Sequence, residues 1–214
     1  MQAVIFDMDG VLIDTEKVSK QAFTKAFESV DLKFTEELYQ KILGRSLKDI
    51  EVFLEEALHY PNIARQIIQQ REIEFAKYYQ THPVEVKTGI FDFLAFIKNR
   101  RLKTAVATSA KESIAVPLLE QAGLIQHFDT LTFGSQVKKA KPHPEIFLKA
   151  AASLAVRPEE TIVIEDSESG IIAANQGGFQ AIFIPETKPT KNFSQQYNFA
   201  YYQKVQDFQA SLQN

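Results

Sequence analysis

The sequence predicts an α/β protein on a doubly wound parallel sheet, and three observations carry that expectation. Five short β-rich runs, residues 3–6, 103–108, 130–133, 161–164 and 181–184, are unbroken in hydrophobicity rather than alternating. That is the pattern of strands covered on both faces. Helical patterns separate most of these runs, and strand–helix alternation with right-handed crossovers gives an open sheet with helices on both sides. Polar and acidic residues follow several of the runs directly, and the carboxyl ends of the strands are where such sheets bind ligands.

Taken in order, "AVIF" at 3–6 is the first strand, followed by "DMDGVLIDTE". The next 70 or so residues, 15–83, are purely helical in pattern, far more than a crossover connection needs. Helices are expected at 16–30, 35–43, 47–59 and 63–80, with Thr35 and Asn62 as N-caps and Gly44 as a helix stop. The chain therefore divides into an α/β core, 1–14 and 84–214, and a helical insert, 15–83. Beyond the insert, "IFDFLAFIKNRR" at 90–101 is amphipathic and ends in basic residues, which suits the negative end of a helix. Helices at 111–122, 144–154 and 169–176 follow the later strands. Four aromatics at 197–202 fit an edge strand or a core stripe better than a cofactor box.

With 214 residues, 45% of them hydrophobic, the chain can bury a sizeable core without disulfides. A net charge of -3 gives no reason to expect nucleic acid or a membrane surface as partner. The absence of cysteine removes thiolate zinc sites and thiol nucleophiles. No basic leader precedes the first apolar run, and no run of about 18 apolar residues occurs, so a soluble, cytoplasmic protein is expected, and a monomer is the default expectation. The eight glycines form neither a GxxxxGK[ST] nor a GxGxxG phosphate loop.

Asp7, Asp9 and Gly10 follow the first strand; Thr108 and Ser109 follow the second; "KKAKPHPE" with Lys141 comes shortly after the third; Glu165 and Asp166 follow the fourth. Singly, each has an ordinary explanation. "DMDG" is a turn former, Ser109 with Glu112 reads as a capping box that leaves Thr108 as the better ligand, and Asp166 or Ser167 can cap the next helix. Lys141 can be a solvated loop lysine ahead of a helix opened by Pro144. Together on one sheet edge they gather four carboxylates against one lysine, a crowd that calls for a hard divalent cation, and Mg²⁺ is the usual choice beside phosphate.

The residues also resemble a known family. "DMDGVLIDTE", "TAVATS", "KPHPEIF" and "IVIEDSESGIIAA" stand in the order of the four motifs of the haloacid dehalogenase-like phosphatases. The branch is the one with a helical cap that includes β-phosphoglucomutase-like proteins, and the likeness spans nearly the whole chain. The resemblance implies a Rossmann-like core and Asp7 as the nucleophile that becomes an aspartyl phosphate. It makes Asp9 the general acid and base, and Mg²⁺ the cofactor on Asp7, the Asp9 carbonyl and Asp166, with Glu165 in support. Thr108, Ser109 and Lys141 would hold phosphate beside Gly10. The cap would close over the site on hinges near 14–16 and 82–87 and face the substrate, a small phosphorylated metabolite, with Gly44, Arg45, Ser46 and Lys48. An acid at Asp9 points to phosphate esters, since dehalogenase and phosphonate-cleaving relatives lack it. β-Phosphoglucomutases carry a histidine in the first cap helix where this chain has Ser19, so the expectation is a phosphatase acting on a sugar phosphate. A sugar-phosphate mutase is the alternative, and a non-catalytic binding protein ranks below both.

Overall fold

A computed structural model describes residues 1–43, 45–186 and 188–213. The chain forms two compact units, one of Met1–Asp14 and Glu85–Asn214, the other Thr15–Val84.

The helical unit contains α1 (Glu16–Glu28), α2 (Glu36–Ile42), α3 (Leu47–Leu58) and α4 (Pro61–Tyr79). In α1 the apolar residues Val18, Ala22, Phe23, Ala26 and Phe27 recur at helical spacing and are buried. Phe23 and Phe27 join Tyr39, Ile42, Ile50, Leu54, Ala64 and Ile67 in a core of the unit's own. Thr35 caps α2 as its sequence suggests, its hydroxyl accepting from the Leu38 amide. Asn62 does not cap α4. That helix begins two residues earlier than expected, with Tyr60 at the cap and Pro61 in the first turn, where a missing N–H breaks no helical bond. The helix stop expected at Gly44 lies outside the described residues.

In the α/β unit the strands are β1 (Ala3–Phe6), β2 (Lys103–Thr108), β3 (Thr130–Phe133), β4 (Thr161–Glu165), β5 (Gln180–Phe183) and β6 (Ala200–Tyr201). Among the described residues they form one sheet in the order β3-β2-β1-β4-β5-β6, and every pairing is parallel. Helices α5 (Ile90–Asn99), α6 (Glu112–Gln121), α7 (Glu145–Ser153), α8 (Glu168–Gln176), α9 (Lys191–Gln196) and α10 (Val205–Ser211) complete the unit. Alternate residues of each strand point to opposite faces. Ala3, Ile5, Ala105, Ala107 and Val163 share a core with Ile146, Phe147 and Ala150 of α7 and with Ile171 and Ala174 of α8. On β1 the ring of Phe6 meets Phe93 of α5 edge-on at 6.0 Å.

Strand ends differ from expectation by one residue where pairing continues. Glu165 pairs with Phe183, which extends β4 and sets the start of β5 at Gln180. The aromatic tail supplies the edge strand, since Tyr202 N donates to Phe183 O beyond β6, and Phe199 packs edge-on against Phe183 at 5.2 Å. The chain leaves and rejoins this unit through a short antiparallel ribbon. Asp14 N donates to Glu85 O, Lys87 N donates to Leu12 O, and Ile13 bridges Val86. No helix among the described residues is long and apolar enough to cross a membrane.

The helical unit's dependence on its own core can be tested at Leu54, which has no exposed surface. Leu54→Ala is expected to destabilise that unit by about 2–5 kcal/mol, read as a lower urea midpoint in far-ultraviolet circular dichroism.

Candidate active site

Strand register builds the site. Phe6 lies level with Val106 on one side and Ile164 on the other, so one step further places Asp7, Ala107 and Glu165 at the same height on three neighbouring strands. Asp7 is still held as part of the sheet, its amide donating to Ile164 O at 3.0 Å. The backbone then folds into a tight turn: Leu12 N and Ile13 N both donate to Met8 O, and Gly10 N donates to Ile13 O. Met8 is wholly buried, and Asp9 is close enough for its charge to raise the Asp7 carboxyl.

Lys141 occupies the point where the three strands end. Its Nζ donates to Asp7 Oδ1 and Glu165 Oε1, each at 2.5 Å, and to Ala107 O at 3.4 Å. The ammonium also stands 4.8 Å from the centre of the Phe147 ring. Lys141 is 6% exposed, Asp7 7% and Glu165 0%. A charge buried to this depth persists only with partners, and all three donors of this one are engaged. Lys141 is therefore no solvated loop lysine. Burial alone would lower its pKa, but Asp7 and Glu165 outweigh that and hold it above the usual lysine value.

Both oxygens of Glu165 are committed. Oε1 takes Lys141, and Oε2 accepts from the Asp166 amide, the Ser167 amide and the Ser167 hydroxyl. Ser167 is also the cap of α8, its hydroxyl accepting from Gly170 N at 3.1 Å. Asp166, the other cap suggested by the sequence, is left facing the β1 loop. A Cβ placed on Gly10 would lie 1.8 Å from Asp166 Oδ2, and one placed on Gly170 would lie 1.9 Å from Glu165 Cδ. Each glycine thus makes room for one of the paired carboxylates, and Gly10 also has a φ of +76°, which favours glycine on conformational grounds. Ser167 caps as the sequence suggested, while its bonds to Glu165 and the close approach at Gly170 are structural work that sequence reasoning did not assign; the S-x-x-G spacing after Glu165–Asp166 was the available signal.

After β2, Thr108 is fully buried and its Oγ1 accepts from Ala110 N at 3.0 Å, tightening the turn. Ser109 is exposed and does not form the expected capping box with Glu112, because α6 starts at Glu112 itself with Lys111 in the cap position. The Ser109 carbonyl instead faces Gly134 so closely that a Cβ there would sit 2.2 Å from it. In the helical unit, Ser46 caps α3, accepting from the Asp49 amide and donating to Asp49 Oδ2. The Arg45 guanidinium rests 4.9 Å from the Phe53 ring centre, and Lys48 is exposed. Gly44 lies outside the described residues.

The electrostatics are unbalanced. Burial, followed by the charges of Glu165 and Asp9, pushes the Asp7 carboxyl up to about 8 against the pull of Lys141. Asp166 is also raised well above the ordinary aspartate value, by burial first and then by Glu165 and Asp7. Among the described residues no three acidic or histidine side chains gather into a metal cage. Two carboxylates, Asp7 and Asp166, are close enough for the charge of one to raise the other. That set suits an ion that binds through one or two carboxylates and keeps several waters, as Mg²⁺ does.

Between about pH 4 and pH 8 the folded protein holds a proton on Asp7 that the unfolded chain has released. Stability without divalent ions is therefore expected to fall as pH rises through that window. Asp7→Asn should unfold at a higher temperature than the parent at pH 8 and at the same temperature near pH 4, measured by differential scanning calorimetry in chelator.

The family model for haloacid dehalogenase-like hydrolases matches residues 4–184. A phosphorylated carbohydrates phosphatase from Thermotoga maritima is 37% identical over 187 residues, covering 86% of this chain and 84% of the relative. A β-phosphoglucomutase from Bacillus subtilis is 31% identical over 198 residues, covering 88% and 85%. Among solved structures, CbbY from Rhodobacter sphaeroides, in complex with phosphate, matches with a TM-score of 0.80 at 25% identity over 95% of this chain and 94% of its own.

Proposed function

Because the chain belongs to the haloacid dehalogenase-like hydrolases, we propose that it is a Mg²⁺-dependent phosphatase of small phosphorylated metabolites, sugar phosphates in the first place. The observation that carries this reading is the Lys141 ammonium between Asp7 and Glu165 at the ends of three strands. An aspartate must be anionic to attack phosphorus, and burial opposes that. Lys141 counters it from one side; a divalent cation held by Asp7, Asp166 and the Asp9 carbonyl would supply the remaining positive charge and neutralise the phosphoryl oxygens.

In the reaction, Asp7 forms a bond to phosphorus as the ester oxygen leaves. Asp9 gives that oxygen its proton and then takes one from the water that hydrolyses the aspartyl phosphate. Thr108 and the main-chain amides after it are assigned to the phosphate oxygens, and Gly10 keeps the loop close. Glu165 is assigned to orienting Lys141 rather than to the metal, because its oxygens already have partners. Substrate choice is assigned to the helical unit, with Arg45 and Lys48 as its basic candidates.

The mutase reading has support in the Bacillus subtilis relative. Against it stands Ser19, whose hydroxyl accepts from Arg71 Nη2 at 2.9 Å, where the mutases carry histidine. A release of inorganic phosphate that outpaces isomerisation of β-glucose 1-phosphate favours hydrolysis, and the reverse ratio in the presence of a bisphosphate activator favours the mutase.

Phosphate release from a panel of sugar phosphates with Mg²⁺ is expected, and its loss in chelator. Asp7→Asn should abolish turnover, and Asp9→Asn should reduce kcat by roughly 10²–10⁴-fold. Full activity in Asp7→Asn, or none in the parent on any ester including an aryl phosphate, overturns the reading.

A further inference from the structure

Lys141 has to reach a buried point from a loop with no regular structure of its own, residues 137–144, and the contacts that shape that loop are few. Its approach to Lys141 carries two consecutive amides outside the sheet, those of Lys138 and Lys139. Both are taken by one carboxylate: Lys138 N donates to Glu145 Oε1 at 2.9 Å and Lys139 N to Glu145 Oε2 at 3.0 Å. Glu145 is the first residue of α7, so its backbone is fixed by a helix that packs on β2 and β3. The chain closes back on itself within the same loop, with His143 N donating to Ala140 O and Glu145 N to His143 Nδ1. Four residues beyond Glu145, Lys149 Nζ donates to Gln136 O at 2.9 Å and ties α7 to the start of the loop. The Lys138 amide above all holds the Glu145 carboxyl below the ordinary glutamate value, so it is anionic and a strong acceptor at neutral pH.

We propose that Glu145 is a positioning residue for catalysis, which sets the location of the Lys141 ammonium by clamping the Lys138 and Lys139 amides to the first turn of α7. The inference rests on the phosphatase reading above for the role of Lys141. Glu145 bonds to the loop amides rather than to Asp7 or Glu165 and acts through the loop. A shift of the loop moves the ammonium away from the two carboxylates it bridges, and the nucleophile loses its fixed counter-charge. Substrate binding at groups remote from phosphorus is untouched, so the loss falls on kcat.

The test uses Glu145→Ala and Glu145→Gln in the parent and in a Lys141→Ala background, with an aryl phosphate and Mg²⁺. Glu145→Ala should lower kcat by about 10- to 100-fold with little change in KM, and Glu145→Gln, which keeps one acceptor, should fall between it and the parent. In the Lys141→Ala background neither substitution should matter further. Equal fold-losses in both backgrounds, or unchanged kcat, overturn the proposal; if Glu145→Ala does not fold, the Glu145→Gln comparison decides alone. Amide hydrogen exchange over 138–141 should speed up roughly tenfold in Glu145→Ala, and unchanged exchange also overturns it. This exchange readout separates the two readings: a parent inactive on every ester removes the phosphatase reading, while exchange still reports whether Glu145 holds the loop.

Discussion

The α/β unit is organised around one buried cation. Parallel pairing brings Asp7, Ala107 and Glu165 to one level, and the Lys141 ammonium takes an oxygen from each. Three strands, two carboxylates and a long loop therefore share a single geometric centre. An ammonium at that depth could not stay charged without such partners. Burial and the neighbouring carboxylates still raise Asp7 and Asp166, which is the electrostatic opening for a divalent ion.

Around that centre, small residues matter as much as charged ones. Gly10 and Gly170 stand against the carboxyl groups of Asp166 and Glu165 respectively. Ala105 and Ala107 on β2 contribute only a methyl each to the core shared with α7, the helix that carries both Phe147 and Glu145. Close packing of this kind converts backbone placement into side-chain placement with little slack.

Much of this was legible in the sequence, for identifiable reasons. Strands buried on both faces give continuous apolar runs, so β1 and β2 could be bounded to the residue; the edge strand β3, half-buried at Thr130 and Leu131, was bounded as closely from its β-rich residues. Residues beyond the strand ends must share an edge once the sheet is parallel, which is why Asp7, Lys141 and Glu165 could be expected together before any coordinates. What could not be read depends on how close two segments come. Nothing local distinguishes Glu165 as a partner of Lys141 from Glu165 as a metal ligand, and the capping strength of Asn62 says nothing against Pro61 starting α4 first. Ser109 and Glu112 have the spacing of a capping box, yet the turn after Thr108 runs on to Lys111 before the helix begins. The clamp formed by Glu145 was hidden because its partners are main-chain amides, which carry no signature in the residue types of Lys138 and Lys139.

The ribbon joining Leu12–Asp14 to Glu85–Lys87 has a consequence for how such a chain can change over generations. Its hydrogen bonds hold the two ends of the intervening helical segment side by side within the α/β unit. From the viewpoint of the sheet, that segment is a closed loop, and the entropy of closing a loop grows only with the logarithm of its length, about 0.6 kcal/mol per doubling. Lengthening, shortening or exchanging the helices thus leaves the register of β1 against β2 and β4 nearly unaffected. A fixed strand edge and a freely interchangeable helical unit can then evolve on separate schedules within one polypeptide.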